Sequence, residues 1–250
     1  MTKTFGTKLR LMDMSKMAPW PITHNQKFRI ALIVSIVFHF FGVLGILSPF
    51  QEWFLGFTPL VLLISASLLF WNHSKSTYLL NLTFLVVLLL GFTAEVIGVN
   101  TGLLFGNYFY GSNLGPKIFG VPITIGINWS ALCLASTLII KDLKVPSFLK
   151  ILLGASIPVI IDFFIEPLAG KLDFWYWSKG FIPLSNYITW YLCSCVFVFL
   201  FLRSTQGVSN RFAFYFLVVQ WIFFLTLNLF LPELGRKTTI ISSPVQGPRG

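Results

Sequence analysis

Asp162 and Glu166 lie four residues apart near the end of FLKILLGASIPVIIDFFIEP, residues 148–167, a stretch otherwise apolar enough to cross a bilayer. Residues four apart share a helix face, so both carboxyls point the same way, and in hydrocarbon that way is the protein interior. A charged group at the centre of a spanning helix costs about 2.5 to 3.5 kcal/mol on insertion scales, so a pair there marks a pathway, a charge partner or a reaction site. A third acid, Glu95, lies near the end of another apolar run. The chemistry open to carboxyls in a dry pocket is proton transfer. One holds a proton and gives it; another stays ionised, steadies positive charge and takes a proton back.

Holding such acids in place requires a membrane fold. The chain has 250 residues, 56% of them hydrophobic and 10% charged, where a soluble domain carries about 25% charged residues. Seven runs approach the length of a spanning helix, at 28–47, 53–71, 78–99, 122–140, 148–165, 183–202 and 212–231. The expected fold is all-α, a polytopic integral membrane protein with one membrane domain over 1–250. Within it, 1–26 is a polar basic segment, 28–231 the helical bundle and 232–250 a tail whose closing SSPVQGPRG reads as disordered. The N-terminal segment lacks the apolar region of a cleavable signal.

The formal charge of +10 raises the question of nucleic acid, but the Lys and Arg residues sit in short segments between apolar runs and form no single basic face. No nucleic-acid partner is expected; the bilayer is. With the N-terminus cytoplasmic, only Lys117, Lys171, Lys179, Arg236, Lys237 and Arg249 fall on the far side, which favours N-terminus in and C-terminus out. Cys133, Cys193 and Cys195 lie inside apolar runs with no His or further Cys at ligand spacing, so neither a disulfide framework nor a metal site is expected.

Two connections, 100–121 and 167–182, are long and rich in glycine and aromatics, and both fall on the outer side. Residue order around them repeats. Glu95 is followed by Tyr108, Phe109 and Tyr110, then by Pro122 and, seven residues on, Trp129. Asp162 and Glu166 are followed by Trp175, Tyr176 and Trp177, then by Pro183 and, seven residues on, Trp190. Both halves run the same way through the membrane, so the third and fourth helices and the fifth and sixth form a parallel repeat about an axis along the membrane normal. Pro122 and Pro183 suit a first helical position, which places two helix N-termini near the depth of the acids.

At these residues the chain resembles the carotenoid biosynthesis membrane proteins that include carotenoid 1,2-hydratases and bisanhydrobacterioruberin hydratase. The resemblance is carried by EVIGVNTGLLFGNYFYG from Glu95, GVPITIGINW from Gly120, DFFIEPLAGKLDFWYW from Asp162 and IPLSNYITW ending at Trp190. It implies cofactor-independent hydration of the terminal double bond of an acyclic carotenoid such as lycopene or γ-carotene, in the bacterial inner (cytoplasmic) membrane. Hydration puts a proton on one alkene carbon, forms a tertiary cation at the other and captures it with water. Asp162, Glu166 and Glu95 are the catalytic candidates. Tyr108, Tyr110, Trp129, Trp175, Trp177 and Trp190 can offer π faces to the cation, at about 0.5 to 2 kcal/mol each. Asn186 and Thr101 are candidates to hold the water. The oligomeric state is left open.

Each of these residues also has a plainer role. Boundary aromatics form interface belts, and Gly98, Gly102 and Gly106 serve packing or loops. His39 is read as a packing residue. A carotenoid cyclase shares the protonation step, and a proton-coupled transporter also buries acids. A retinal-binding photoreceptor is disfavoured, because the last run contains no lysine, and a prenyltransferase lacks a second acidic cluster.

Overall fold

Helix starts and stops along the chain are set by local chemistry. In α1, His24–Ile46, Thr23 Oγ1 accepts from Gln26 N while the Gln26 side chain accepts from Thr23 N, a reciprocal cap. Thr77 caps α4, Tyr78–Thr101, by accepting from Leu80 N at 3.1 Å. Gly102, with φ of 68°, ends α4 in the left-handed conformation that an ordinary side chain resists. This computed structural model describes residues 23–231; most of the basic N-terminal segment and the 232–250 tail lie outside them.

The second span departs from a single helix over 53–71. It divides into α2, Gln51–Leu55, and α3, Thr58–Trp71. Pro59 has no N–H to offer the Leu55 carbonyl, and Thr58 Oγ1 donates to that carbonyl instead, at 2.7 Å. The remaining spans are α5, Ile123–Ile140, α6, Ser147–Ala169, α7, Leu184–Ser204, and α8, Phe212–Phe230. Seven segments of the described chain are long and apolar enough to cross a membrane. The protein is an all-α integral membrane protein. Ile33, Phe40, Leu89, Phe163 and Leu192 are among many large apolar side chains left exposed on the outside of the bundle, where lipid replaces water.

Almost every residue of α5 is buried, which makes it the central helix. The small residue Gly126 brings α5 close to α4, because a Cβ there would lie 2.8 Å from the Leu88 carbonyl oxygen. α4 packs on α5 and α6 on α7, the two helix pairs that the long connections join. The two long connections meet in a short ribbon of β1, Tyr108–Tyr110, against β4, Trp175–Trp177. Pairing is antiparallel with Phe109 opposite Tyr176, so the two triplets exchange places about their middle residues. A second pair, β2, Lys117–Ile118, with β3, Val121–Pro122, closes the first connection. No strand was expected. Pro122 and Pro183 sit one position earlier than expected, as N-caps of α5 and α7 in extended conformation, and neither supplies a side-chain acceptor.

Trp129 and Trp190, which correspond in the repeat, stack with ring centroids 3.7 Å apart and planes 14° from parallel. Gly91 makes room for this stack, since a Cβ there would lie 2.8 Å from Trp129 Cβ and Cγ.

Candidate active site

One turn after Gly91, Glu95 turns both carboxylate oxygens to donors. Oε1 accepts from Trp129 Nε1 at 2.9 Å, and Oε2 accepts from the Tyr110 hydroxyl at 2.8 Å and from the Tyr108 hydroxyl. Burial, then the neighbouring Glu95 carboxylate, push both phenols well up, so Tyr108 and Tyr110 remain donors. In the second half Glu166 plays the matching part. Its Oε2 accepts from Trp177 Nε1 at 2.8 Å and Trp175 Nε1 at 3.2 Å, and its Oε1 from Asn186 Nδ2 at 2.8 Å.

Asp162 differs from both. Its Oδ2 receives a single bond, from Asn186 Nδ2 at 3.3 Å, and Oδ1 has no protein donor among the described residues. Because the same amide nitrogen touches both, the contacted oxygens of Asp162 and Glu166 are within about 6 Å of each other. By spacing to the aromatic triplet Asp162 corresponds to Glu95, yet by hydrogen bonding Glu166 does, so the second repeat carries one acid more, a helical turn on.

All three acids line one cavity of about 1260 Å³ of empty space, its open part included. Tyr108, Tyr110, Trp175 and Trp177 form its aromatic roof from the inner face of the β1–β4 ribbon, and Phe109 and Tyr176 stack on the outer face with centroids 5.3 Å apart. Asn186 and Trp190 also reach the cavity. Trp129 does not; fully buried, it backs Trp190 and holds Glu95. Thr101 lies elsewhere, exposed at the end of α4 with its hydroxyl donating to Ile97 O at 2.6 Å, so it has no place beside the acids. Gly98 packs on Phe105, and Gly106 on Pro183.

The remaining lining comes from α1, α3 and α8, elements given no site residue by the sequence, and from α5 beside Trp129. Phe38, His39 and Gly42 of α1, Val61, Leu62 and Ser65 of α3, Asn128 of α5, and Gln220, Phe223 and Phe224 of α8 complete it. Gln220 was a visible signal, one of two amides with Asn228 in an otherwise apolar run; Ser65 gave none. His39 packs edge-on against Phe223 and engages the Ser35 carbonyl through Nδ1 at 2.8 Å, as a packing histidine does, while also reaching the cavity.

Asp173 ties the two long connections to each other. It accepts from Ser112 N at 2.8 Å, from the Ser112 hydroxyl and from the Tyr176 hydroxyl at 2.9 Å. Gly111 lies so close that a Cβ would fall 2.2 Å from Asp173 Oδ1. Partial burial opposes ionisation, but the Ser112 bonds, Tyr176 and Lys117 outweigh it and hold the carboxyl below its ordinary 3.8. A carboxyl lowered in the folded state adds stability above its unfolded value and loses it as the pH falls through the folded one. Asp173 also has φ of 55°, a conformation asparagine tolerates. The Tm gap between wild type and Asp173→Asn should therefore be widest above pH 3.8 and close below it, in thermal scans across that range.

The family model described as carotenoid biosynthesis protein matches residues 56–239. The chain belongs to this family. No curated protein and no solved structure matches it. In this carotenoid biosynthesis protein the matched region takes in all three acids, both repeats and the ribbon, along with α3 and α8. It leaves out α1, whose Phe38, His39 and Gly42 nevertheless contribute to the cavity wall.

Proposed function

We propose that this carotenoid biosynthesis protein is a hydratase that adds water across the terminal 1,2 double bond of an acyclic carotenoid end group, and that Asp162 is its proton donor. The carrying observation is the unequal partnering of three carboxyls on one greasy cavity. Glu95 and Glu166 each accept three N–H or O–H donors, so both oxygens of each already face a donor, whereas Asp162 keeps an oxygen free to carry a proton. The alkene π pair takes the Asp162 proton and forms a C–H bond, leaving a tertiary cation on the neighbouring carbon. Water attacks the cation, a C–O bond forms, and the surplus proton passes to Glu166. Return of that proton to Asp162, over the short gap between them, restores the starting state.

Indole and phenol faces in the roof favour the cation over the neutral alkene, and the ionised Glu95 and Glu166 add to this. The apolar remainder of the cavity suits an isoprenoid chain, which can enter sideways from the lipid. With the N-terminus cytoplasmic, as the distribution of Lys and Arg favours, the ribbon roof lies on the outer side. The test is expression in cells that accumulate lycopene or γ-carotene, followed by chromatography and mass analysis. A pigment heavier by one water is expected. An isomer of unchanged mass with a ring end group would instead identify a cyclase, and unaltered pigment would remove the enzymatic assignment.

A further inference from the structure

The water in this reaction needs a place to stand, and the site residues already described do not supply it. Both donors of the Asn186 amide go to carboxylates, and Thr101 is outside the cavity. Ser65, Asn128 and Gln220, however, line the same cavity as the acids with side chains that have no hydrogen-bond partner among the described residues. Ser65 is 6% exposed and Gln220 7%. Inside a bilayer a buried amide or hydroxyl without a partner is expensive, and nearly all such groups in proteins are bonded to protein or to an ordered water. They come from three different helices, α3, α5 and α8, so their meeting on one cavity is not a local accident of sequence.

We infer that Ser65, Asn128 and Gln220 form a neutral water-binding station that holds the nucleophilic water for the hydration and, afterwards, the hydroxyl it becomes. This rests on the hydratase reading above. Water offers two donors and two acceptors and is held in proteins by two to four polar partners; an amide, a second amide and a hydroxyl match that demand. The hydrocarbon end of an acyclic carotenoid has no group that could use them. Because none of the three carries charge, they neither trap the cation nor remove the water's proton before the C–O bond forms. His39 on the same cavity adds an acceptor: its Nδ1–H is committed to the Ser35 carbonyl, which can only accept, so Nε2 is left with its lone pair.

The consequence is a division of labour that isotope exchange can read. Membranes containing the full chain are incubated with lycopene in deuterium oxide, and both the hydrated product and the deuterium entering recovered lycopene are measured. Addition of a deuteron to the alkene CH carbon, followed by loss of the protium from that same carbon, regenerates the alkene with deuterium in place of its vinylic hydrogen and without any water capture. Gln220→Leu and Ser65→Ala are expected to cut hydrate formation about 10-fold or more while deuterium entry stays at the wild-type rate or rises. Ser65→Thr, which keeps the hydroxyl, should recover most of the product. Hydrate and deuterium falling together, or neither falling, in variants whose Tm matches wild type would overturn the water station alone. A wild-type protein that forms neither hydrate nor deuterated lycopene would overturn the hydratase assignment, and the station with it.

Discussion

Asp162→Asn is expected to lower hydration by about 10²- to 10⁴-fold, the usual range for removing a general acid or base, while leaving the fold intact. Asp162 receives one hydrogen bond, 3.3 Å long, and as proton donor it rests uncharged, so a neutral amide of the same shape forfeits little. Its Tm should stay within about 2 to 4 °C of wild type, the shift that one kcal/mol produces in a chain of this size. Glu166→Gln should behave differently. The new amide would turn an N–H toward at least one of Trp175, Trp177 and Asn186, all of them donors, so both rate and Tm should drop. The measurement is initial rate of hydrate formation in membranes beside thermal unfolding in detergent. Wild-type hydration by Asp162→Asn would remove Asp162 as donor, and an unchanged Tm in Glu166→Gln would show that its three donors do not depend on a carboxylate.

The acids were legible in the sequence because charge inside an apolar run has few explanations, and their repeat partners because residue order survives unequal loops. The ribbon was not. Three-residue strands such as Tyr108–Tyr110 carry no periodicity, and their pairing with Trp175–Trp177 joins positions more than sixty residues apart. The cavity lining from α3 and α8 was hidden for a different reason. In water a helix announces its buried face by apolar spacing, but here lipid-facing and core-facing positions are both apolar, so α3 and α8 give no sign of which side meets the cavity. Only polar residues break that degeneracy. Gln220 was thus readable in principle, while Ser65, one of several hydroxyls in the spans, became distinguishable only once its neighbours were known. The broken second span illustrates a local override: hydropathy is continuous over 53–71, yet one missing N–H at Pro59 divides it.

Glu95→Ala carries the largest expected effect on stability. Tyr108, Tyr110 and Trp129 all donate to this carboxylate and all three are buried; without it the two neighbouring phenols can satisfy only one of their two donors by bonding each other, and the indole N–H is left without its acceptor. Each orphaned donor costs about 1 to 3 kcal/mol. Even partial relaxation leaves a loss of roughly 3 to 5 kcal/mol, the scale seen when a buried charged group loses its partner. At about 2 to 4 °C per kcal/mol this predicts a Tm lower by about 6 to 20 °C. The damage should spread beyond the site, because Trp129 stacks on Trp190 and Tyr108 is the register partner of Trp177. Glu95→Gln offers the control: its carbonyl oxygen still accepts, and its N–H can meet a tyrosine hydroxyl oxygen, so it should lose less than half as much Tm as Glu95→Ala. If Glu95→Ala instead melts with wild type, the carboxylate is not the clasp between α4, α5 and the ribbon, and the two halves of the roof are held together without it.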